Sequence, residues 1–238
     1  MSNRRSPSNY VFNHLGMFAG GSEHFCRGLF MGGVTRRFPT LKFGFLEGGV
    51  AWAVILLNDL IEHFEKRNVD DLLASLDPAT LDVALLCELF DRYGDAKLTG
   101  ARIREHAVTP MSNPKRPELF DEFAACGMTS LRQLRDLFCK NFYFGCEGDD
   151  RMVSVAFDRR LNPAGTLNAM FGSDIGHWDV VDATGVLAEA YSLVDGGLIT
   201  PDDFRAFTYT NAASLFRGTN PDYFAGTVLE GEISKLVV

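Results

Sequence analysis

The sequence predicts an α/β fold, and three observations support this. Short apolar runs bounded by glycine or proline recur along the chain, and segments with helical periodicity follow them. The 238 residues are 46% hydrophobic and include 20 phenylalanines, a composition that can bury a large core. The net charge of −8 argues against a nucleic-acid surface, which needs a basic face.

Two strand and helix pairs are predicted at the start of the chain. Residues 10–13 are predicted as the first strand, and a helix capped by Ser22 follows it. Residues 42–46 form a second, buried strand, and an amphipathic helix runs over residues 50–64. A strand that continues through paired glycines into a helix is half of a βαβ unit.

Residues 68–140 interrupt this alternation. Three helices are predicted in succession, beginning near Asp77, Arg116 and Ser130, and no strand pattern lies between them. The last of them begins with a capping-box pattern at Ser130. We interpret residues 68–140 as a helical insertion within a single domain that spans residues 1–238.

The strand and helix alternation then returns. Residues 142–146 and 168–172 are predicted strands, and residues 182–195 form an amphipathic helix. Thr200 and the Pro-Asp-Asp that follows it are a strong signal for the start of a last helix. Parallel strands in such folds gather functional residues at their carboxyl ends.

Side chains with ligand or acid–base chemistry follow the ends of the four predicted strands: His14, Glu47, Glu147 and Asp174. Asp174 precedes His177 and Asp179, which favours a carboxylate that binds a metal or acts as a general base. The alternative for Asp174 is a turn residue that bonds to its own backbone.

The other candidates also have structural alternatives. His14 with Asp174 would suit Zn²⁺, but a single histidine is commonly a packed structural residue. Glu47 can instead pair with Arg36 or Arg37. For Glu147 the sequence favours a solvated acidic loop.

The sequence lacks the motifs of several kinds of functional site and of targeting signal. The chain contains no dinucleotide or phosphate-binding glycine loop, no Gly-x-Ser-x-Gly elbow and no His-Glu-x-x-His. Its five cysteines include no Cys-x-x-Cys, which indicates free thiols in a cytoplasmic protein. No apolar run approaches the ~18 residues of a membrane span, and no signal peptide is recognisable.

Six stretches carry a resemblance to one family: Asn13–Gly16, Gly33–Pro39, Leu41–Gly49, Phe142–Glu147, Phe171–Asp179 and Asp202–Phe207 with Asn211-Ala212. Together they resemble the amidohydrolase-related metal-dependent hydrolases, in the branch that includes aminocarboxymuconate-semialdehyde decarboxylase. The resemblance covers nearly the whole chain outside the helical insertion. It implies a (β/α)₈ TIM barrel with a metal at its C-terminal mouth, of which this chain would form a partial barrel, about the second half.

The resemblance also implies a set of site residues. His14 and Asp174 would be metal ligands, most simply for zinc, while Asp174, His177 and Glu47 would act in catalysis. The family's His-x-His pair is absent from this chain, so we expect the domain to be N-terminally incomplete and to bind metal weakly. Where the decarboxylases have a histidine, this chain has Glu47, which argues against decarboxylation.

Three functions follow from these expectations. The first is a hydrolase that acts on a small organic substrate through a metal-activated water. The second is a catalytically incomplete fragment or assembly subunit, which the missing histidine pair favours for the isolated chain, and the third is a non-oxidative carboxy-lyase. A half barrel would expose two edge strands, at 10–13 and 168–172, so we expect a homo-oligomer or a separate N-terminal half as partner.

Overall fold

A computed structural model describes most of the chain: residues 6, 8–67, 70, 71, 74, 77, 80–108, 121–162 and 165–236. These residues form a mixed α/β fold that is mostly helical and contains one small parallel sheet. The chain divides into two compact units, Met1–Ile61 with Met128–Val238, and Glu62–Gly127.

The sheet has three parallel strands in the order β1-β2-β3: β1 (Phe43–Phe45), β2 (Phe142–Glu147) and β3 (Asn168–Gly172). Phe43 is in register with Phe142, and Tyr143 is in register with Asn168. The strands predicted at 42–46, 142–146 and 168–172 are therefore confirmed. The central strand is buried along its first five residues, as a parallel strand covered on both faces should be.

The strand predicted at residues 10–13 is wrong, because this segment is a short helix, α1 (Tyr10–His14). The side chain of Asn9 caps it by accepting a hydrogen bond from the backbone N–H of Phe12 at 2.9 Å. No residue of α1 is buried, so no packing against a sheet holds its β-forming side chains extended. His14 consequently lies in the last turn of a helix, and the outer strand on this side is β1.

The remaining helices follow in chain order: α2 (Met17–Met31), α3 (Val34–Arg37), α4 (Ala51–Arg67), α5 (Val83–Tyr93), α6 (Gly100–Ile103), α7 (Glu122–Ala125), α8 (Leu131–Asn141), α9 (Val153–Phe157), α10 (Val186–Asp195), α11 (Pro201–Arg205), α12 (Asn211–Thr219) and α13 (Glu230–Ile233). Two π-helical turns, Arg104–Val108 and Ala206–Thr210, continue α6 and α11. None of the described helices is both long enough and apolar enough to cross a membrane.

Helix starts agree with the sequence predictions to different degrees. The cap predicted at Ser22 is wrong, because α2 begins at Met17 with Gly16 as its N-cap and Ser22 lies inside the helix. The helix start predicted at Thr200 is confirmed, and it contains a capping box: Thr200 and Asp203 each accept a hydrogen bond from the other's backbone N–H, at 3.1 and 3.0 Å.

At α8, Ser130 accepts from the N–H of Gln133, but the Gln133 side chain accepts from Thr129 instead of Ser130. The expected capping box there is only half formed.

The second unit holds the short helices α5, α6 and α7. The helix predicted to begin near Asp77 begins at Val83, because Asp82 caps it by accepting from the N–H of Leu85 at 2.9 Å. The start predicted near Arg116 lies outside the described residues. The described part of residues 68–140 contains no strand, and α8 belongs to the first unit.

The core of the first unit is an aromatic cluster on β2. Phe142 and Phe138 pack with ring centroids 5.1 Å apart, and Phe30 lies 5.6 Å from Phe138. Trp52 packs edge-on against Phe144 at 5.4 Å. The buried phenylalanines thus join α2, α4 and α8 to the sheet, which explains the aromatic composition.

The two edge strands of the sheet, β3 and β1, are covered to different extents by the rest of the chain. The π-helical turn Ala206–Thr210 packs against β3, where Phe207 meets Phe171 at 5.8 Å and Asn211 donates to the carbonyl of Ala169 at 2.8 Å. Met170 is only 6% exposed, so the expected exposure of the 168–172 edge is wrong for this residue. At the other edge, no described backbone group outside β2 hydrogen-bonds to β1.

Candidate metal site at the ends of β2 and β3

The candidate site lies where β2 and β3 end side by side. Glu147, the last residue of β2, is in register with Gly172, the last residue of β3. Asp174 follows two residues later. Because the strands are parallel and adjacent, their following loops emerge at the same edge and bring these carboxylates together.

Asp174 has an unusual backbone conformation, with φ at 49°. The other described non-glycine residue with a positive φ is Glu47, at 60°, which follows β1 by two residues. Left-handed conformations are costly for residues other than glycine, and they concentrate at functional sites. Both residues are also candidates from the sequence, because each follows the end of a strand.

Asp174, His177 and Asp179 form a group that can hold a metal ion. Asp174 Oδ2 lies 2.9 Å from His177 Nδ1, and the backbone N–H of His177 donates to the Asp174 carbonyl at 3.1 Å. One ligand atom from each of the three residues lies within 4.8 Å of the others. The structure therefore brings together two of the predicted site residues, Asp174 and His177, and adds Asp179.

The group fits a divalent cation in chemistry and in spacing. An imidazole nitrogen and carboxylate oxygens are ligand types shared by Zn²⁺ and Mn²⁺. Atoms bound to one tetrahedral zinc ion at about 2.0–2.2 Å lie about 3.3–3.6 Å apart, so side-chain movements of about 1 Å would bring the three ligand atoms onto one ion. Asp174 is half-buried while His177 and Asp179 are exposed, which leaves open the solvent side where water or substrate would bind.

A cavity of about 520 Å³ adjoins this group. Its carboxylate lining comes from six residues: Glu147, Asp149, Asp174, Asp179, Asp182 and Glu189. Among the described residues, the lining includes no lysine or arginine, and Phe171, Val180 and Val186 supply apolar wall. Such a one-signed cavity concentrates cations.

The carboxyl group of Glu147 is partly buried and lies among other acidic groups. Partial burial raises its pKa above the ordinary value, and the charges of Asp149, Asp174, Asp150 and Asp179 raise it further. The neighbouring Asp182 has a different environment. The hydroxyl and the backbone N–H of Thr184 donate to its carboxylate, at 2.6 and 2.9 Å, and lower its pKa.

Glu147 is the residue whose role sequence reasoning underestimates. The acidic run Glu147-Gly-Asp-Asp150 favours a solvated loop, yet Glu147 lines the cavity while still belonging to β2. Its position at the end of an apolar strand is the signal that could outweigh the local charge pattern.

His14 and Glu47 are not part of the three-residue group or of the cavity lining. The ring of His14 stacks on Tyr10 at 5.1 Å and meets Phe18 edge-on at 5.8 Å. Glu47 is exposed after β1, and no ion pair within the described chain joins it to an arginine. Metal binding by His14 and catalysis by Glu47 stay predictions.

Three of the cysteines are poor nucleophiles in this fold. None of the five forms a disulfide. Burial raises the pKa of the Cys26 and Cys146 thiols far above the ordinary value, and raises the pKa of Cys139 to about 11. Since the thiolate is the reactive form, covalent cysteine chemistry is disfavoured at these three positions.

Comparison with the models of known protein families and with curated protein sequences gives no match. The resemblance to amidohydrolase-related hydrolases therefore rests on short sequence motifs alone.

Proposed function

We propose that the protein is a metal-dependent hydrolase of the amidohydrolase-related type, with its metal site at Asp174, His177 and Asp179. The observation that carries the proposal is the grouping of these three side chains in the loop that follows β3, next to the carboxyl end of the parallel strand β2. We also propose that the three-stranded sheet is part of a partial (β/α)₈ barrel. Its parallel order and the helices between its strands support this.

The residues around the group have separable roles. A bound divalent cation supplies Lewis acidity and lowers the pKa of a bound water. Asp174, His177 and Asp179 would hold the cation. Glu147, which lines the same cavity as Asp174 and Asp179, would exchange a proton with the reacting groups, and its raised pKa is in the direction that suits this role. The cavity of about 520 Å³ accommodates a small organic substrate.

Metal binding is the first test. The full chain is stripped with a chelator and titrated with Zn²⁺ and with Mn²⁺ by calorimetry, and metal content is measured after dialysis. We expect close to one equivalent of one of these ions, because the group offers the three protein ligands of a catalytic site. Asp174→Asn should weaken binding at least tenfold, whereas Asp222→Asn, an exposed residue outside the group, should leave it unchanged.

Turnover is the second test. The metal-loaded protein is assayed against small amides, lactones and carboxylated ring compounds, and Glu147→Gln is compared with the parent chain. We expect hydrolysis that Glu147→Gln reduces by ~10²-fold or more while metal affinity is retained. Stoichiometric metal without any turnover would contradict the hydrolase and favour a non-catalytic assembly subunit, and release of CO₂ would favour the carboxy-lyase.

A further inference from the structure

A patch of apolar side chains surrounds α1 and the exposed face of α2. Seven large residues are 36–72% exposed there: Tyr10, Val11, Phe12, Leu15, Met17, Phe18 and Phe25. The rings of Tyr10, His14 and Phe18 form a continuous series of contacts across the two helices. Phe25 continues the patch to β1 through an edge-on contact with Phe45 at 6.3 Å.

The summed exposed area of these seven residues is larger than the apolar patch that a monomer normally exposes. A large aromatic residue can bury roughly 150–250 Å², so at these exposures the seven residues present on the order of 800 Å². The largest apolar patch on an ordinary monomer is about 300–600 Å². A stable protein–protein interface buries about 800 Å² on each partner, so the patch matches one half of such an interface.

The charge distribution indicates what binds there. Residues 8–22 contain no aspartate, glutamate, lysine or arginine, although the whole chain carries a net charge of −8. Beside Phe25, Glu23 and Arg27 form an ion pair at 3.2 Å, so the patch carries little net charge. Two copies of an acidic chain repel each other least when they meet at a surface with little net charge.

The open edge of β1 lies beside the same patch. Within the described chain, β1 pairs with β2 alone, and the exposed Leu46 follows it directly. An unpaired edge strand next to apolar side chains is a template for strand addition. In a twofold dimer the same patch of each copy meets its counterpart, so β1 would face the β1 of the second copy.

We propose that the patch around α1 and α2, with the adjoining edge of β1, binds a second copy of this chain in a twofold dimer. The apolar area, the low net charge and the unpaired strand edge each support this surface. The proposed surface adjoins β1, whereas the metal site follows β3 at the opposite side of the sheet, so dimer formation does not require a bound metal.

The test measures mass as a function of concentration. The full chain is compared with the double variant Phe12→Asp/Leu15→Asp by sedimentation equilibrium from about 1 to 100 μM. The control is Val228→Asp, which places the same charge on a fully exposed apolar residue far along the sequence from the patch. Because no residue of α1 is buried, the double variant should keep its circular dichroism spectrum and its melting temperature.

We expect the parent chain and Val228→Asp to reach twice the 26.3 kDa chain mass, and the double variant to stay at 26.3 kDa with at least 100-fold weaker association. Hydrogen exchange at the amides of Phe43–Phe45 should slow as the dimer forms. The proposal is overturned if the parent chain stays monomeric at 100 μM or if the double variant still dimerises. It is also overturned if hydrogen exchange at the amides of β1 is unchanged by dimerisation. A monomeric parent chain that floats with phosphatidylcholine vesicles, while the double variant does not, assigns the patch to a lipid surface instead.

Discussion

The two edges of the sheet differ in their cover and in the loop that leaves each strand. At β3 a π-helical turn and Asn211 close the edge, and the next loop carries Asp174 into an acid-lined cavity. At β1 the edge is open, apolar side chains surround it, and Glu47 lies after it, outside that cavity. The candidate ligands thus follow the strand whose edge is covered, whereas, within the described part of the chain, no candidate ligand group follows the strand whose edge is unpaired.

A single substitution can remove the aromatic packing of Phe207 against β3. Phe207 is fully buried against Phe171, so Phe207→Ala should lower the free energy of unfolding by about 3–5 kcal/mol. Phe25→Ala, at an exposed ring beside β1, should cost less than about 1 kcal/mol. Urea denaturation of both variants measures the contrast, and equal losses would show that the β3 edge is not the better-packed one.

The link from β1 to β2 depends on a glycine. Gly49 has φ at 64° and donates its N–H to the carbonyl of Gly145 at 3.2 Å. Gly49→Ala should cost about 1–2 kcal/mol for the left-handed conformation alone. A Cβ there would also lie 2.9 Å from a carboxylate oxygen of Asp150, which must move.

Gly197→Ala is the matched control for this substitution. Gly197 has a similar φ of 66°, but a Cβ there meets nothing within 4 Å. Thermal unfolding should therefore show a larger loss for Gly49→Ala than for Gly197→Ala. The same loss for both would mean that Asp150 moves aside without cost.

Removing the polar contact that covers the β3 edge should lower the free energy of unfolding by a smaller amount. Asn211→Ala removes the donor to the carbonyl of Ala169 and should cost about 1 kcal/mol. Amides of β3 should then exchange faster with solvent. Asn220→Ala, which removes the acceptor for one backbone N–H in an exposed turn, serves as control and should leave β3 exchange unchanged.

The smallest expected effect concerns the charge of Glu147. Its pKa is raised in the folded chain, so the folded state binds more protons than the unfolded state between the ordinary pKa of 4.5 and the raised value. The contribution of the Glu147 carboxyl to the free energy of unfolding therefore falls as the pH rises from the ordinary pKa to the raised pKa. Glu147→Gln should raise the melting temperature slightly at pH 7 and leave it unchanged at pH 4.

Glu62→Gln provides a control of opposite sign. Lys66 hydrogen-bonds to Glu62 and lowers the pKa of that carboxyl, so its stabilising contribution is present above the ordinary pKa and is lost as pH falls through the lowered value. The variant should be slightly less stable than the parent chain at pH 7. A lower melting temperature for Glu147→Gln at pH 7 would contradict the negative environment described for the cavity.

The sequence predicts the three strands because each is a short apolar run with clear boundaries. It fails at residues 10–13, where Tyr-Val-Phe favours a strand by propensity but the Asn9 cap and the absence of any buried side chain leave a helix. Propensity is a weak guide where no packing reinforces it. The π-helical turn beside β3 has no recognisable sequence signature, so the cover of that edge could not be foreseen.

The candidate site is predictable in part. Asp174 and His177 are close in sequence, so their proximity of 2.9 Å results from one turn. Glu147 reaches the same cavity only through the register between β2 and β3, which pairs it with Gly172. This register places two residues side by side that are 25 positions apart in the sequence. It depends on how the strands pack, which local sequence motifs do not predict.

The register of β1 with β2 has a consequence for how the chain is made. Phe43 pairs with Phe142, so during synthesis β1 leaves the ribosome about 100 residues before its partner strand. At about 5–20 residues per second, this corresponds to a delay of roughly 5–20 s. Throughout that interval an apolar segment has no sheet to join, whereas β3 follows β2 by about 25 residues and can pair almost at once. Until residue 142 has emerged, β1 therefore stays without a partner strand, and its apolar side chains stay open to contacts with other chains.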